Sequence, residues 1–92
     1  MELEFSPDFR KHYLKANVRI RNKVNNSLRI FKNDPNNSQL NNHELEREWI
    51  GYRSIDVNFD WRAIYKEIRL GGDEIIAYFV ALGTHKDLYP RK

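Results

Sequence analysis

The stretch from Ile75 to Leu82 is apolar at nearly every position. It follows the turn residues Gly71-Gly72-Asp73 and an earlier strand-like run, Trp61 to Leu70. Glycines that tolerate positive φ, set between β-branched and aromatic runs, specify a tight hairpin. A strand that lacks polar alternation has to be covered on both faces or at its ends, so this hairpin is expected near the centre of a sheet. Helices must supply the cover. Ile20, Val24, Leu28 and Phe31 recur at spacings of four, four and three, which is the apolar stripe of a helix lying on a sheet.

The remaining segments fit around this pair. Met1 to Phe5 alternates like a short strand, and Ser6-Pro7-Asp8 then supplies a cap, a first-turn proline and a first-turn acid for a helix bearing Phe9, Tyr13 and Leu14. A break is expected near Ala16-Asn17, with the asparagine closing the first helix. Asn33-Asp34-Pro35 stops the second. Residues 33–44 form a polar loop with five asparagines and one anchoring residue, Leu40, long enough to be working or mobile. A further strand is expected over Trp49 to Asn58. The resulting order is β-αα-βββ: an α+β fold with a small antiparallel or mixed four-stranded sheet and a helical pair on one face. Residues 1–92 make one domain with one modest core, since a chain of this size buries roughly 60–65% of its unfolded surface.

Composition narrows the function classes. The absence of cysteine excludes disulfides and thiolate metal sites and points to a reducing cytoplasm. The apolar run is far shorter than the ~18 residues of a membrane span, and Glu2 and Glu4 stand where a signal peptide carries basic residues. Residues 9–32 hold eight basic side chains (Arg10, Lys11, Lys15, Arg19, Arg21, Lys23, Arg29, Lys32) and no acid. Such a stretch either attracts a polyanion or forms the solvated face of a helix.

Folding the last hairpin about Gly72 sets Arg62 opposite Leu82 and brings Asp60 near Thr84-His85. The preceding turn adds Arg53 and Asp56, and the polar loop delivers His43 to the same sheet. Two histidines, two carboxylates and an arginine match the needs of metal-independent RNA cleavage. In that reaction a base deprotonates the 2′-hydroxyl, an acid protonates the departing 5′-oxygen and a cation steadies the phosphorane. Each residue also has a plain structural use: a surface loop histidine, a turn aspartate, exposed strand arginines, packing aromatics. No local histidine pair exists, so neither zinc nor any other cofactor is expected.

The pieces His43-x-Leu45, Trp49-x-Gly51-Tyr52-Arg53-Ser54, Asp60-Trp61-Arg62-x-Ile64-Tyr65 and Gly83-Thr84-His85-x-x-Leu88-Tyr89 resemble the RelE/ParE superfamily of bacterial toxins, closest to its YafQ-like branch. They cover residues 43 to the end; the helical half agrees in layout. The resemblance implies a ribosome-associated endoribonuclease that cuts messenger RNA in the ribosomal A site and forms a hetero-oligomer with a cognate antitoxin. An acidic, partly disordered antitoxin segment would suit the basic surface. It also implies catalytic roles for His43, Asp60, His85 and Tyr89. Arg53, Trp61, Arg62 and Lys86 are the candidate RNA contacts. YafQ-like members often carry a histidine three residues after the arginine, where this chain has Asp56, which could act as a base or pair with a cation. A ParE-like gyrase inhibitor without nuclease chemistry, and a non-toxic binding module, are the competing expectations.

Overall fold

The structure, a computed structural model, describes residues 1–89. Five strands form one mixed sheet in the order β1-β5-β4-β3-β2. They are β1 (Glu2–Phe5), β2 (His43–Glu44), β3 (Arg53–Asp56), β4 (Trp61–Gly71) and β5 (Glu74–Thr84). Helices α1 (Pro7–Lys15) and α2 (Val18–Asn33) follow β1, and a single turn, α3 (His85–Leu88), follows β5. β1 runs parallel to β5; the other pairings are antiparallel. The α+β order is as expected from the sequence, with one addition. His43–Glu44 forms a fifth, two-residue strand on the edge of β3, so the polar loop ends inside the sheet.

Helix starts follow the sequence chemistry. Ser6 Oγ accepts from the Phe9 N–H at 3.0 Å and caps α1, with Pro7 in its first turn. Asn17 does the opposite of what was expected of it. It opens α2 through its side chain, which accepts from the Ile20 N–H at 2.9 Å, and Ala16 closes α1. Asparagine serves either end of a helix, and here the extended backbone at Asn17 decides for the start.

The core lies between the helices and one face of the sheet. Phe9, Val24, Phe31 and Leu40 pack on Ile55, Ala63, Tyr65, Ala77, Phe79 and Leu82. Phe31 meets the rings of Tyr65 and Phe79 edge-on at 4.9 and 5.3 Å, and burying a side chain of this size contributes roughly 2–3 kcal/mol. Within α2 the stripe holds, with Ser27 also buried; its hydroxyl donates to the Asp56 carbonyl at 3.1 Å and ties α2 to β3.

Two departures from the sequence reading bear on the site. The segment expected to be strand from Trp49 is a 3-10 turn, Arg47–Trp49, and the strand proper begins at Arg53. Arg47 (φ 59) and Gly51 (φ 90) take positive φ, which interrupts an extended run. The β4–β5 register also shifts between Ile64 and Tyr65, leaving Val80 as an extra residue in β5. Arg62 consequently pairs with Gly83 rather than Leu82. Both Phe79 and Leu82 still reach the core, three positions apart, because the bulge resets which residues face inward.

Candidate active site

An open cleft of about 310 Å³ is lined by Asn41, His43, Leu45, Glu46, Ser54, Arg62, His85 and Tyr89. The two histidines, 42 positions apart in sequence, therefore share one cavity with an arginine and a tyrosine.

His43 is set by the asparagines before it. Asn41 adopts the left-handed conformation (φ 48), and its carbonyl lies 2.8 Å from His43 Nδ1. A carbonyl can only accept, so Nδ1 carries the hydrogen, and in the neutral ring Nε2 keeps its lone pair. Asn42 locks the loop from behind: its amide donates to the Pro35 carbonyl at 2.9 Å and to the Tyr65 hydroxyl at 2.8 Å. Its oxygen accepts from Arg53 Nε at 2.9 Å. Burial pushes the Tyr65 phenol above its ordinary value of 10.0, with Asn42 and Arg53 opposing the rise. His43 itself pairs across the ladder with Ser54, whose buried hydroxyl has no protein partner among the described residues and forms part of the cleft wall.

His85 opens α3. Thr84 and Asp87 cap the turn reciprocally, through Asp87 N–H to Thr84 Oγ1 at 3.1 Å and Thr84 N–H to Asp87 Oδ2 at 3.4 Å. The His85 N–H donates to the Asp60 carbonyl at 2.8 Å, and Trp49 Nε1 donates to the Leu88 carbonyl at 2.9 Å, so α3 is held at both ends. The Tyr89 ring lies 4.7 Å from the His85 ring.

Arg62 forms the cationic wall. Its Nε sits 3.0 Å from Asp56 Oδ1, a charge contact outside good hydrogen-bond alignment. The two residues are cross-strand partners, and both are largely buried. The guanidinium also donates to the carbonyls of Asn58 (2.8 Å), Trp61 (3.1 Å) and Phe59 (3.3 Å).

The structure thus gathers His43, Arg62, His85 and Tyr89, with Asp56 behind Arg62. It does not gather the rest. The Asp60 carboxylate is not among the groups lining the cleft; Asp60 reaches the site through its carbonyl. Arg53 is on the other side of β3, tied to Asn42 and 3.5 Å from Glu44. Trp61 packs against the core, and Lys86 stands exposed on α3 beside His85. Asn41, Asn42, Glu46 and Ser54 were not singled out in the sequence. The loop holds five asparagines, and nothing in the sequence sets Asn41 and Asn42 apart from the others.

No curated protein is matched by the sequence. A family model described as the bacterial toxin of type II toxin–antitoxin system, YafQ, matches residues 1–90. The chain belongs to the YafQ toxin family. Among solved structures, YafQ from E. coli strain BL21(DE3) is 29% identical, covering 96% of this chain and 97% of that one, with a TM-score of 0.75. YafQ in the E. coli DinJ-YafQ toxin–antitoxin complex is 28% identical over 96% of each chain, with a TM-score of 0.72. A YoeB/ParE toxin from Agrobacterium tumefaciens shares the fold at 20% identity, covering 92% of this chain and 99% of that chain (TM-score 0.72). This YafQ-family chain is a toxin of the type II toxin–antitoxin class, in the YafQ-like branch of the RelE/ParE superfamily. None of its described helices is long and apolar enough to cross a membrane.

Proposed function

We propose that this YafQ-family toxin is a metal-independent endoribonuclease that cleaves translated messenger RNA in the ribosomal A site. The observation that carries the reading is the shared cleft of His43, Arg62, His85 and Tyr89. In this mechanism His43 Nε2 takes the proton of a ribose 2′-hydroxyl, and the 2′-oxygen attacks the adjacent phosphorus. The bond to the 5′-oxygen breaks, and His85 in its protonated form delivers a proton to that leaving oxygen. The products are a 2′,3′-cyclic phosphate and a free 5′-hydroxyl. Two positioned imidazoles supply both proton steps, each step of this kind contributing roughly 10²–10⁴-fold. Arg62 presents fixed positive charge to the developing phosphorane, with Asp56 holding its Nε end. Tyr89, ring to ring with His85, orients that imidazole or donates its hydroxyl to a phosphate oxygen.

Asp60 is assigned a positioning role, because its carbonyl fixes the first residue of α3. Arg53 is assigned to the loop bearing His43, through Asn42. Seven of the eight basic residues between positions 9 and 32 are exposed, Arg21 alone being half-buried; they offer a surface for ribosomal RNA and, alternatively, for an acidic antitoxin segment. A cognate antitoxin is the expected stable partner, as in the DinJ-YafQ complex of the E. coli relative.

The test is expression without antitoxin, followed by primer extension on translated messages. Wild type is expected to arrest growth and leave discrete cuts within codons. His85→Ala is expected to lose at least 100-fold in cleavage while keeping its melting temperature. Growth arrest by inhibition of DNA supercoiling, with messages intact, would establish the gyrase-inhibitor alternative instead. An inert wild type would favour the binding module.

A further inference from the structure

Phe59 is the most exposed large apolar side chain among the described residues, at 92% of its full accessible area. The backbone beneath it is nevertheless tightly pinned. Asn58 Oδ1 accepts from the N–H groups of Asp60 (2.9 Å) and Trp61 (2.7 Å), while Arg62 donates to the carbonyls on both sides of the Asn58–Phe59 peptide pair. The turn spends its polar groups internally and holds an aromatic ring in water.

The ring stands at a boundary. Arg62 lines the cleft that holds His43 and His85, while its ion-pair partner Asp56 and the Asn58 and Phe59 residues whose carbonyls it binds line a second cleft of about 250 Å³. The second cleft carries the amides of Asn26, Gln39 and Asn58 beside the apolar residues Ile30, Leu40 and Val57, and Arg29 donates to the Asn26 side-chain oxygen. Amides offer donors and acceptors side by side, which suits the edge of a nucleobase. An exposed ring suits its face, and such stacking tolerates any base.

We propose that Phe59 is a stacking platform for a nucleobase of the bound RNA, placing a nucleotide that flanks the cleaved linkage in the amide-lined cleft. The inference rests on the ribonuclease reading and names the RNA contact made beyond the reacting phosphate. A protein partner would instead call for exposed apolar neighbours around the ring, and here Leu40 and Val57 are buried and Ile30 half-buried.

The experiment uses the full chain on ribosomes programmed with a message carrying 2-aminopurine in the A-site codon. One set of messages is cleavable and one is blocked by 2′-O-methylation. Phe59→Ala is expected to raise KM about tenfold, leave kcat within twofold, keep the wild-type melting temperature and abolish the quenching of 2-aminopurine on the blocked message. Phe59→Trp is expected to restore KM and quenching; Phe59→Leu, apolar but without a π face, is not. The proposal is overturned by an unchanged KM and quenching in Phe59→Ala, or by equal rescue from leucine. It is also overturned if antitoxin affinity falls while both RNA readouts hold. A wild type that binds and quenches the blocked message but leaves the cleavable one whole sinks the ribonuclease reading. The quenching series then still decides Phe59.

Discussion

The two ends of the β4–β5 hairpin are made from the same pair of eleven-residue strands, yet only one end carries a candidate site. At the turn end Glu67, Arg69 and Leu70 stand in solvent, and the turn is made by Gly71 and Gly72, both at positive φ. At the other end the strands are fastened to chain outside the hairpin. The Ser6 hydroxyl donates to the Val80 carbonyl, the Val57 N–H to the Trp61 carbonyl, and the His85 N–H to the Asp60 carbonyl. Strand pairing is common to both ends, so it is not what makes a site. The difference lies in the tethers, and most of them end on backbone atoms. The imidazoles are thus aimed by main-chain bonds, that of His43 through Nδ1 to the Asn41 carbonyl, which leaves its Nε2 free for substrate.

The widest separation between the ends should appear in a matched pair on β4. Arg62→Gln is expected to lower cleavage on the order of 100-fold and reduce the melting temperature, since three turn carbonyls lose their donor. Arg69→Gln should leave both within experimental scatter. Comparable losses from the two variants, in single-turnover cleavage and thermal melts, would erase the distinction.

Asn42→Ala removes three hydrogen bonds behind His43 without touching the cleft. Cleavage should fall about tenfold through kcat, with a stability loss of about 2 kcal/mol in urea titration. An effect on stability alone would show that the loop holds His43 by other means.

A smaller change is expected of Trp49→Phe, which deletes the indole donor to the Leu88 carbonyl but keeps a ring against Tyr52. One hydrogen bond contributes about 1 kcal/mol. Faster amide exchange in α3, with a several-fold slower cleavage, is the expected result. Unchanged exchange at Leu88 and Tyr89 would show that the clamp is idle.

The smallest effect is alkaline. Burial raises the Tyr65 pKa above the unfolded value of 10.0, so the folded state holds this proton more tightly. The resulting stability is complete below pH 10 and drains away as pH rises through the higher folded value. The stability gap between wild type and Tyr65→Phe should therefore be constant below pH 10 and narrow above it. Denaturant titrations at several pH values would reveal a gap that refuses to narrow.

Much of this was readable from residues. The hairpin, the α2 stripe, the Ser6 cap and the approach of His85 to Asp60 all follow from local turn chemistry and strand pairing. The Trp49–Asn58 run misleads because Trp49, Ile50 and Tyr52 are strand-favouring side chains, whereas the backbone there is governed by positive φ at Arg47 and Gly51. Residue type, the turn that precedes Asp60 and the resemblance of Gly51-Tyr52-Arg53 all point Arg53 toward RNA. Its parity with Ile55, a residue of the core, already placed it on the helix side of β3. Asn42 left no trace in the sequence, since its partners Pro35, Arg53 and Tyr65 are scattered and any loop asparagine looks the same.

The bulge at Val80 left none either, because every residue around it is apolar and no polar marker records a change of side. Its consequence reaches further than pairing. The extra residue works like a clutch between the two halves of the hairpin: it lets the outer half keep one alternation of side chains and the inner half keep the other. Were Val80 paired within the ladder instead, the halves would have to turn together. Either Phe79 would leave the core, or Arg62 would face Leu82 instead of Gly83, and a leucine side chain would then meet Asp87 and Leu88 of α3, which lie within 3.6 Å of the Cβ position at Gly83. The seat of the turn that begins at His85 is thus governed by one residue outside it.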